Sequence, residues 1–167
     1  GIDGLKLLRG MYAFIIYDKK RDEVIIGRDE FGIKPLYYSV MKNGIAFCSE
    51  TKPIVSLKKS IPNINVWKLF EYMQLQYSSG TETLYEGIQR VAPGQILVIK
   101  RGKIIKSFLS SFTQKKKSIN DAELITSLDK SLRESVSSHL RSDVPYCIFF
   151  SGGIDSVLLL HYVHQLK

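Results

Sequence analysis

The chain has 167 residues, 44% hydrophobic, 24% charged and 11% aromatic, with 24 Lys and Arg against 16 Asp and Glu for a net charge of +8. Those proportions are globular and exclude a disordered or fibrous chain. The longest unbroken apolar run, Met11–Tyr17, has seven residues, where a membrane helix needs about 20. The basic residues are spread along the chain, including the run Lys115–Lys117, without any RNP, helix-turn-helix or zinc-finger pattern. They read as a solvated face plus a lysine-rich linker, so no nucleic-acid partner is expected.

From the N-terminus, Met11–Tyr17 is apolar on both faces, which predicts a strand covered on both sides. A polar turn and Glu23–Arg28 complete an antiparallel hairpin. Leu36–Val40 and Ile45–Ser49 form a second hairpin through Asn43-Gly44. Ile96–Ile99 and Lys103–Ser107 form a third around Arg101-Gly102. Between them, Val66, Leu69, Phe70, Met73 and Tyr77 recur at helical spacing and predict one helix over Asn65–Tyr77. Trp67 lies off that stripe and is expected to be a partly buried packing residue.

Phe108–Ser118 is rich in Ser and Lys without a clear period and reads as a domain linker. This divides the chain into residues 1–108, a linker 109–119, and residues 120–167. Asn120, with Glu123 three residues on, is placed to cap a helix. Leu124, Leu128, Leu132, Val136 and Leu140 then repeat down one face until Pro145 intervenes. Tyr146–Phe150 has the signature of a buried parallel strand, followed by a small polar loop and an apolar helix. Cys48 and Cys147 both lie in apolar runs and are expected to be reduced, buried thiols in a cytoplasmic protein.

Ser151-Gly152-Gly153-Ile154-Asp155-Ser156 carries the chemistry. Two glycines allow a tight turn and close backbone approach, and the loop feeds a helix N-terminus, where free N–H groups favour an anion. Ser151 and Ser156 add hydroxyl donors. The set suits a phosphate or pyrophosphate, though no Gly-Lys-Ser/Thr of a Walker A loop is present. A carboxylate at Asp155 makes sense beside phosphates if Mg2+ bridges them or if it orders the loop.

This loop resembles the pyrophosphate-binding signature of the PP-loop ATP pyrophosphatases. Upstream, Gly10–Phe14, Gly27–Tyr38, Ser49–Lys52, Leu84–Ile88 with Pro93-Gly94, and Ser142–Pro145 resemble glutamine-hydrolysing asparagine synthetase in order and spacing. The resemblance implies an α+β domain, the C-terminal half of an αββα N-terminal-nucleophile-hydrolase sandwich. The first strand, loop and helix of an α/β PP-loop domain then follow. It implies an ATP- and Mg2+-dependent ligase acting on glutamine, aspartate and ATP. Ammonia freed from glutamine would displace AMP from β-aspartyl-AMP to give asparagine.

Residues implied to contact ATP are Phe150, Ser151, Gly152, Gly153, Asp155 and Ser156. Phe150 stands where the family usually has leucine, so its backbone is expected to matter more than its side chain. Met11 and Ile33 match positions lining the ammonia tunnel. Arg28, Asp29 and Lys34 are expected to tie their loop by ion pairing. The family's nucleophile is an N-terminal cysteine, whereas this chain begins at Gly1 and ends one helix past the loop. It is therefore read as an internal fragment, inactive by itself, without a catalytic residue of its own. An amidotransferase acting on another carboxylate, or a non-catalytic homologue serving as a binding module, are the alternatives. A homodimer is also open.

Overall fold

A computed structural model describes residues 2–5, 7–109 and 120–166. The chain divides into two compact units, Gly1–Thr113 and Gln114–Lys167. Apart from Leu109, the expected linker lies outside the described residues.

The first unit is built from three hairpins, as the alternation and turn residues predict. It opens with a short helix, α1 (Ile2–Leu5), and the hairpin of β1 (Ala13–Asp18) with β2 (Glu23–Arg28). The second hairpin joins β3 (Tyr37–Met41) to β4 (Gly44–Cys48). Helices α2 (Thr51–Ser56) and α3 (Val66–Leu75) and the two-residue strand β5 (Gln89–Arg90) follow. The third hairpin is β6 (Gln95–Lys100) with β7 (Lys103–Leu109). Its turn residues Arg101 and Gly102 have φ of +48° and +71°, the left-handed pair that a tight twisted hairpin requires.

These strands form two antiparallel sheets, ordered β1-β2-β6-β7 and β4-β3-β5. Ile26, Leu36, Val91, Leu97 and Ile99 are buried in one cluster, with Tyr38, Ile45 and Phe47 of the second sheet packed against them. The core of this unit is thus the seam between the two sheets. Because successive strand residues point to opposite faces, Ile25 and its cross-strand partners Ile16 and Val98 belong to the face away from that seam.

Two expectations are corrected here. The strand predicted to be covered on both sides is open: Ile15, Ile16 and Tyr17 are 44–55% exposed. The reason is position, since among the described residues β1 lies at the edge of its sheet and borders only β2. Helix α3 forms, with Asn65 Oδ1 accepting the Lys68 N–H at 3.2 Å, but its apolar stripe is exposed. Trp67, expected to be partly buried, is 82% exposed, because no element packs closely along α3 among the described residues. Helix α2 was not foreseen. Pro53 is tolerated in its first turn, and Ile54 anchors it in a buried position against β4.

In the second unit, α4 (Asp121–His139) and α5 (Ile154–Gln165) pack through Val136, Tyr162 and Val163, flanked by Leu132, Leu140, Ile148 and Leu166. Asn120 Oδ1 accepts the Glu123 N–H at 2.9 Å, which is the expected cap. Leu124 and Leu128, on the first turns of the stripe, are exposed. The expected buried strand at Tyr146–Phe150 does not form. Tyr146, Phe149 and Phe150 are exposed, and only Ile148 joins the core. A strand needs a hydrogen-bonding neighbour, and the described residues of this unit hold none. For the same reason Cys147 is exposed and not buried; Cys48, although paired with Tyr37 at the end of β4, is only half-buried.

Candidate functional site

The turn between Phe150 and α5 is set by one glycine. Gly152 has φ of +79°, a conformation that costs an L side chain about 1–2 kcal/mol. Gly153 has an ordinary φ of −71° and is the N-cap of α5, with no side chain capping the helix. The two glycines therefore do different work: Gly152 makes the turn, and Gly153 starts the helix without a side chain of its own, its Cβ position lying 3.5 Å from Ser151 Oγ. First-turn N–H groups have no intrahelical partner.

Ser156 is buried in this turn and donates from Oγ to the Gly153 carbonyl at 2.8 Å. Ser151 Oγ lies 3.2 Å from Ser156 Oγ and accepts the Gly153 N–H at 3.4 Å. Asp155 is exposed in the first turn of α5. The donor set fits a phosphate chain, through backbone N–H groups and a hydroxyl on an open face. The single carboxylate of Asp155 fits Mg2+, which is commonly held by one or two carboxylates together with substrate phosphates. No cluster of three or more metal-ligating side chains occurs among the described residues.

The loop is anchored from behind. Tyr162 Oη donates to Asp129 Oδ1 at 2.8 Å, fastening α5 to α4. That hydrogen bond raises the Tyr162 hydroxyl above its ordinary pKa. Arg133 lies 5.9 Å from the Tyr162 ring centre and donates from Nη2 to Gln165 Oε1 at 2.5 Å. Of the predicted ATP contacts, Ser151, Gly152, Gly153, Asp155 and Ser156 share this one turn. Phe150 is 56% exposed and packs in no core.

In the first unit, Arg28 and Asp29 are buried, and the expected ion pairing of Arg28, Asp29 and Lys34 is replaced by backbone hydrogen bonds. Arg28 donates from Nε to the Lys34 carbonyl at 2.7 Å, from Nη1 to Val91 at 2.7 Å and from Nη2 to Gly32 at 2.5 Å. Burial pulls its guanidinium below the ordinary pKa. The Asp29 carboxylate accepts N–H groups of Phe31, Ile33 and Lys34 at 2.9–3.2 Å. Burial pushes the Asp29 carboxyl up, but the N–H groups of Lys34, Ile33 and Phe31 outweigh it and the net shift is downward.

Asp29 also donates its own N–H to the Tyr12 carbonyl at 2.9 Å. One residue thereby fixes the segments carrying both tunnel candidates, although Met11 and Ile33 are themselves 46% and 55% exposed. Sequence reasoning missed this role. Its signal was Asp followed by Gly three positions later, a pattern suited to a side chain bonding its own turn. Also unforeseen is a cavity of about 260 Å³ lined by Tyr37, Tyr72, Tyr77 and Tyr85 with Arg90.

An antiparallel two-sheet unit, followed along the chain by a unit whose glycine turn enters a helix N-terminus, defines a mixed α/β protein. Residues 1–112 match the family described as "Glutamine amidotransferase domain", and residues 127–167 match that described as "Asparagine synthase". The chain belongs to the glutamine amidotransferase domain family, in the group that carries the asparagine synthase region. It is 37% identical over 156 residues to asparagine synthetase [glutamine-hydrolyzing] 1 of Bacillus subtilis, covering 92% of this chain and 24% of that protein. A putative asparagine synthetase [glutamine-hydrolyzing] of Mycobacterium tuberculosis is 34% identical over 167 residues, covering 95% and 26%. Amidase chry2 of Gibberella zeae is 28% identical over 173 residues, covering 99% and 25%. The chain thus spans about a quarter of the length of these relatives. No helix among the described residues is long and apolar enough to cross a membrane.

Proposed function

We propose that the protein containing this chain is an ATP-dependent amidoligase that makes asparagine from aspartate, with ammonia drawn from glutamine. The observation that carries this reading is the uncapped Gly153 end of α5, with its two serines and Asp155, on the same chain as a glutamine amidotransferase unit. In the reaction, an oxygen of the aspartate β-carboxylate attacks the α-phosphorus of ATP and pyrophosphate leaves. Ammonia then attacks the acyl carbon of β-aspartyl-AMP, and AMP leaves. The carboxylate gains a good leaving group by this activation.

The first-turn N–H groups of α5 and the Ser151 hydroxyl would bind the phosphates and hold the departing charge. Asp155 would hold Mg2+, which supplies charge neutralisation when bound. Asp29 would position the Met11 and Ile33 segments along the ammonia route. The glutamine nucleophile is assigned to an N-terminal cysteine outside these residues. A cytoplasmic setting belongs to the same reading.

A second reading is the same domain pair amidating a carboxylate other than aspartate, since the names of the relatives are not confined to asparagine synthetases. The full-length protein decides between them when supplied with ATP, Mg2+ and glutamine. Aspartate-dependent pyrophosphate release with stoichiometric asparagine supports the first reading. Pyrophosphate release that needs a different carboxylic acid supports the second. Absence of nucleotide turnover with every acceptor overturns both.

A further inference from the structure

The turn between β3 and β4 and the loop following α2 frame a groove of about 770 Å³. Lys42, Lys58 and Lys59 stand along it, together with Val40, Leu57 and Ile61. The three aliphatic side chains are 61%, 66% and 81% exposed. None of the three lysines belongs to an ion pair among the described residues. The groove's carboxylate, Glu86, already accepts from Asn63 Nδ2 at 3.2 Å.

The topology extends this positive field. A Cβ placed on Gly102 would stand 2.9 Å from Gly44 Cα, so the β6–β7 turn abuts the β3–β4 turn. That contact sets exposed Arg101 and Lys103 beside the groove. The register pairs Glu23 with Lys100, which brings the β1–β2 turn, with Lys19, Lys20 and Arg21, to the same end of its sheet. The carboxylates there are engaged. Asp18 accepts the N–H groups of Lys20 and Arg21 and pairs with the Arg21 guanidinium at 3.9 Å, Asp22 accepts from Tyr17 Oη, and Glu23 pairs with Lys100. One end of the unit therefore carries an excess of cations around a groove of mixed aliphatic and polar lining, which attracts and orients a negatively charged partner.

We infer that this groove docks an acidic protein segment in which carboxylates are interspersed with aliphatic side chains. The aliphatic walls call for apolar side chains, and the lysines call for Asp and Glu. No aromatic residue lines the groove, so it lacks the stacking platforms used for single-stranded nucleic acid. A trough with aliphatic walls takes inserted side chains and not a flat anionic bilayer.

The test titrates the full-length protein with a fluorescent peptide of mixed Glu and Leu, about ten residues long at ~3.3 Å per extended residue. The expected result is saturable binding that weakens with salt. It should fall about tenfold or more, or 1.4 kcal/mol, with Lys42→Glu and Lys59→Glu together, and likewise with Leu57→Ser and Ile61→Ser. Unchanged denaturation midpoints of these exposed-site variants show that the fold is intact. On the unmodified protein, a Lys and Leu peptide of the same length should not bind, a comparison that needs no variant. Equal affinity for an all-Glu peptide overturns the proposal, because the apolar walls would then contribute nothing. Absence of saturable binding overturns it, as does tighter binding to oligo(dT) or to phosphatidylserine vesicles.

Discussion

Ser151 Oγ and Ser156 Oγ stand 3.2 Å apart across the Gly152-Gly153 turn, with Ser156 also tied to the Gly153 carbonyl. Ser151 Oγ, which also accepts the Gly153 N–H, and Ser156 Oγ thus brace the turn, and the two glycines separate into distinct roles. Gly152→Ala should lower thermal stability as well as nucleotide affinity, because its φ is +79°. Gly153→Ala should leave the melting temperature nearly unchanged, since a Cβ there meets only Ser151 Oγ at an ordinary 3.5 Å. It should nevertheless weaken ATP binding by crowding the phosphates. Melting curves and ATP titration of the full-length variants check both. Normal ATP affinity in Gly153→Ala would place the phosphates elsewhere.

Asp155→Ala and Ser151→Ala should abolish asparagine formation while glutamine hydrolysis persists. The loop lies in the second unit, whereas the amidotransferase match covers residues 1–112. Glutamate release and pyrophosphate release, measured on the same full-length preparations, separate the two activities. Parallel loss of both in folded protein would count against separate sites.

Asp29→Asn should destabilise the first unit by about 1–3 kcal/mol, the cost of an unsatisfied buried donor. The substitution places an NH2 group opposite an N–H. Whichever way the amide turns, either the Lys34 N–H now on Oδ2 or the Ile33 N–H now on Oδ1 loses its acceptor. Urea denaturation gives the value, and a midpoint equal to wild type would refute the account.

Gly27→Ala should cost about 1–3 kcal/mol through overpacking. A Cβ at Gly27 would collide with the ring of Phe14, its cross-strand partner. Phe14→Leu in the same molecule should recover much of the loss. An unaltered deficit in the double variant would mean that the ring is not the obstacle.

Stability should decline on acidification partly through Glu71. Lys68 Nζ at 2.8 Å and the Ser79 N–H at 3.1 Å hold its carboxyl at about 2, below the ordinary 4.5. A depressed folded-state pKa contributes stability that is complete above 4.5 and is lost as pH falls toward about 2. Glu71→Gln should flatten the pH dependence of the urea midpoint across that window. A profile parallel to wild type would show that the carboxylate contributes nothing.

The hairpins were legible because their signals are local. Alternating apolar residues and Arg101-Gly102 specify strand and turn within a few residues, and the Asn120 cap with Glu123 specifies the start of α4 in the same way. The order Ser-Gly-Gly-x-Asp-Ser likewise announced a tight turn into a helix N-terminus, since φ at Gly152 and the uncapped helix end depend on the immediate chain. Helix α2 was obscured by Pro53, and Ile54 reveals its purpose only by packing on β4.

The sequence by itself determined the three hairpins, their turns, the Asn120 cap and the family. All follow from short-range sterics, hydrogen bonding and residue order. Only the tertiary structure decided burial and partnership. It left β1 at a sheet edge and Trp67 exposed, and it left Tyr146–Phe150 without a neighbouring strand. It also turned Arg28 and Asp29 from a supposed ion pair into two separate backbone clamps. An apolar run shows that a segment favours cover, but which element provides it depends on contacts between residues far apart in the chain. A buried charge, in the same way, is satisfied by whichever carbonyl or N–H the fold carries to it.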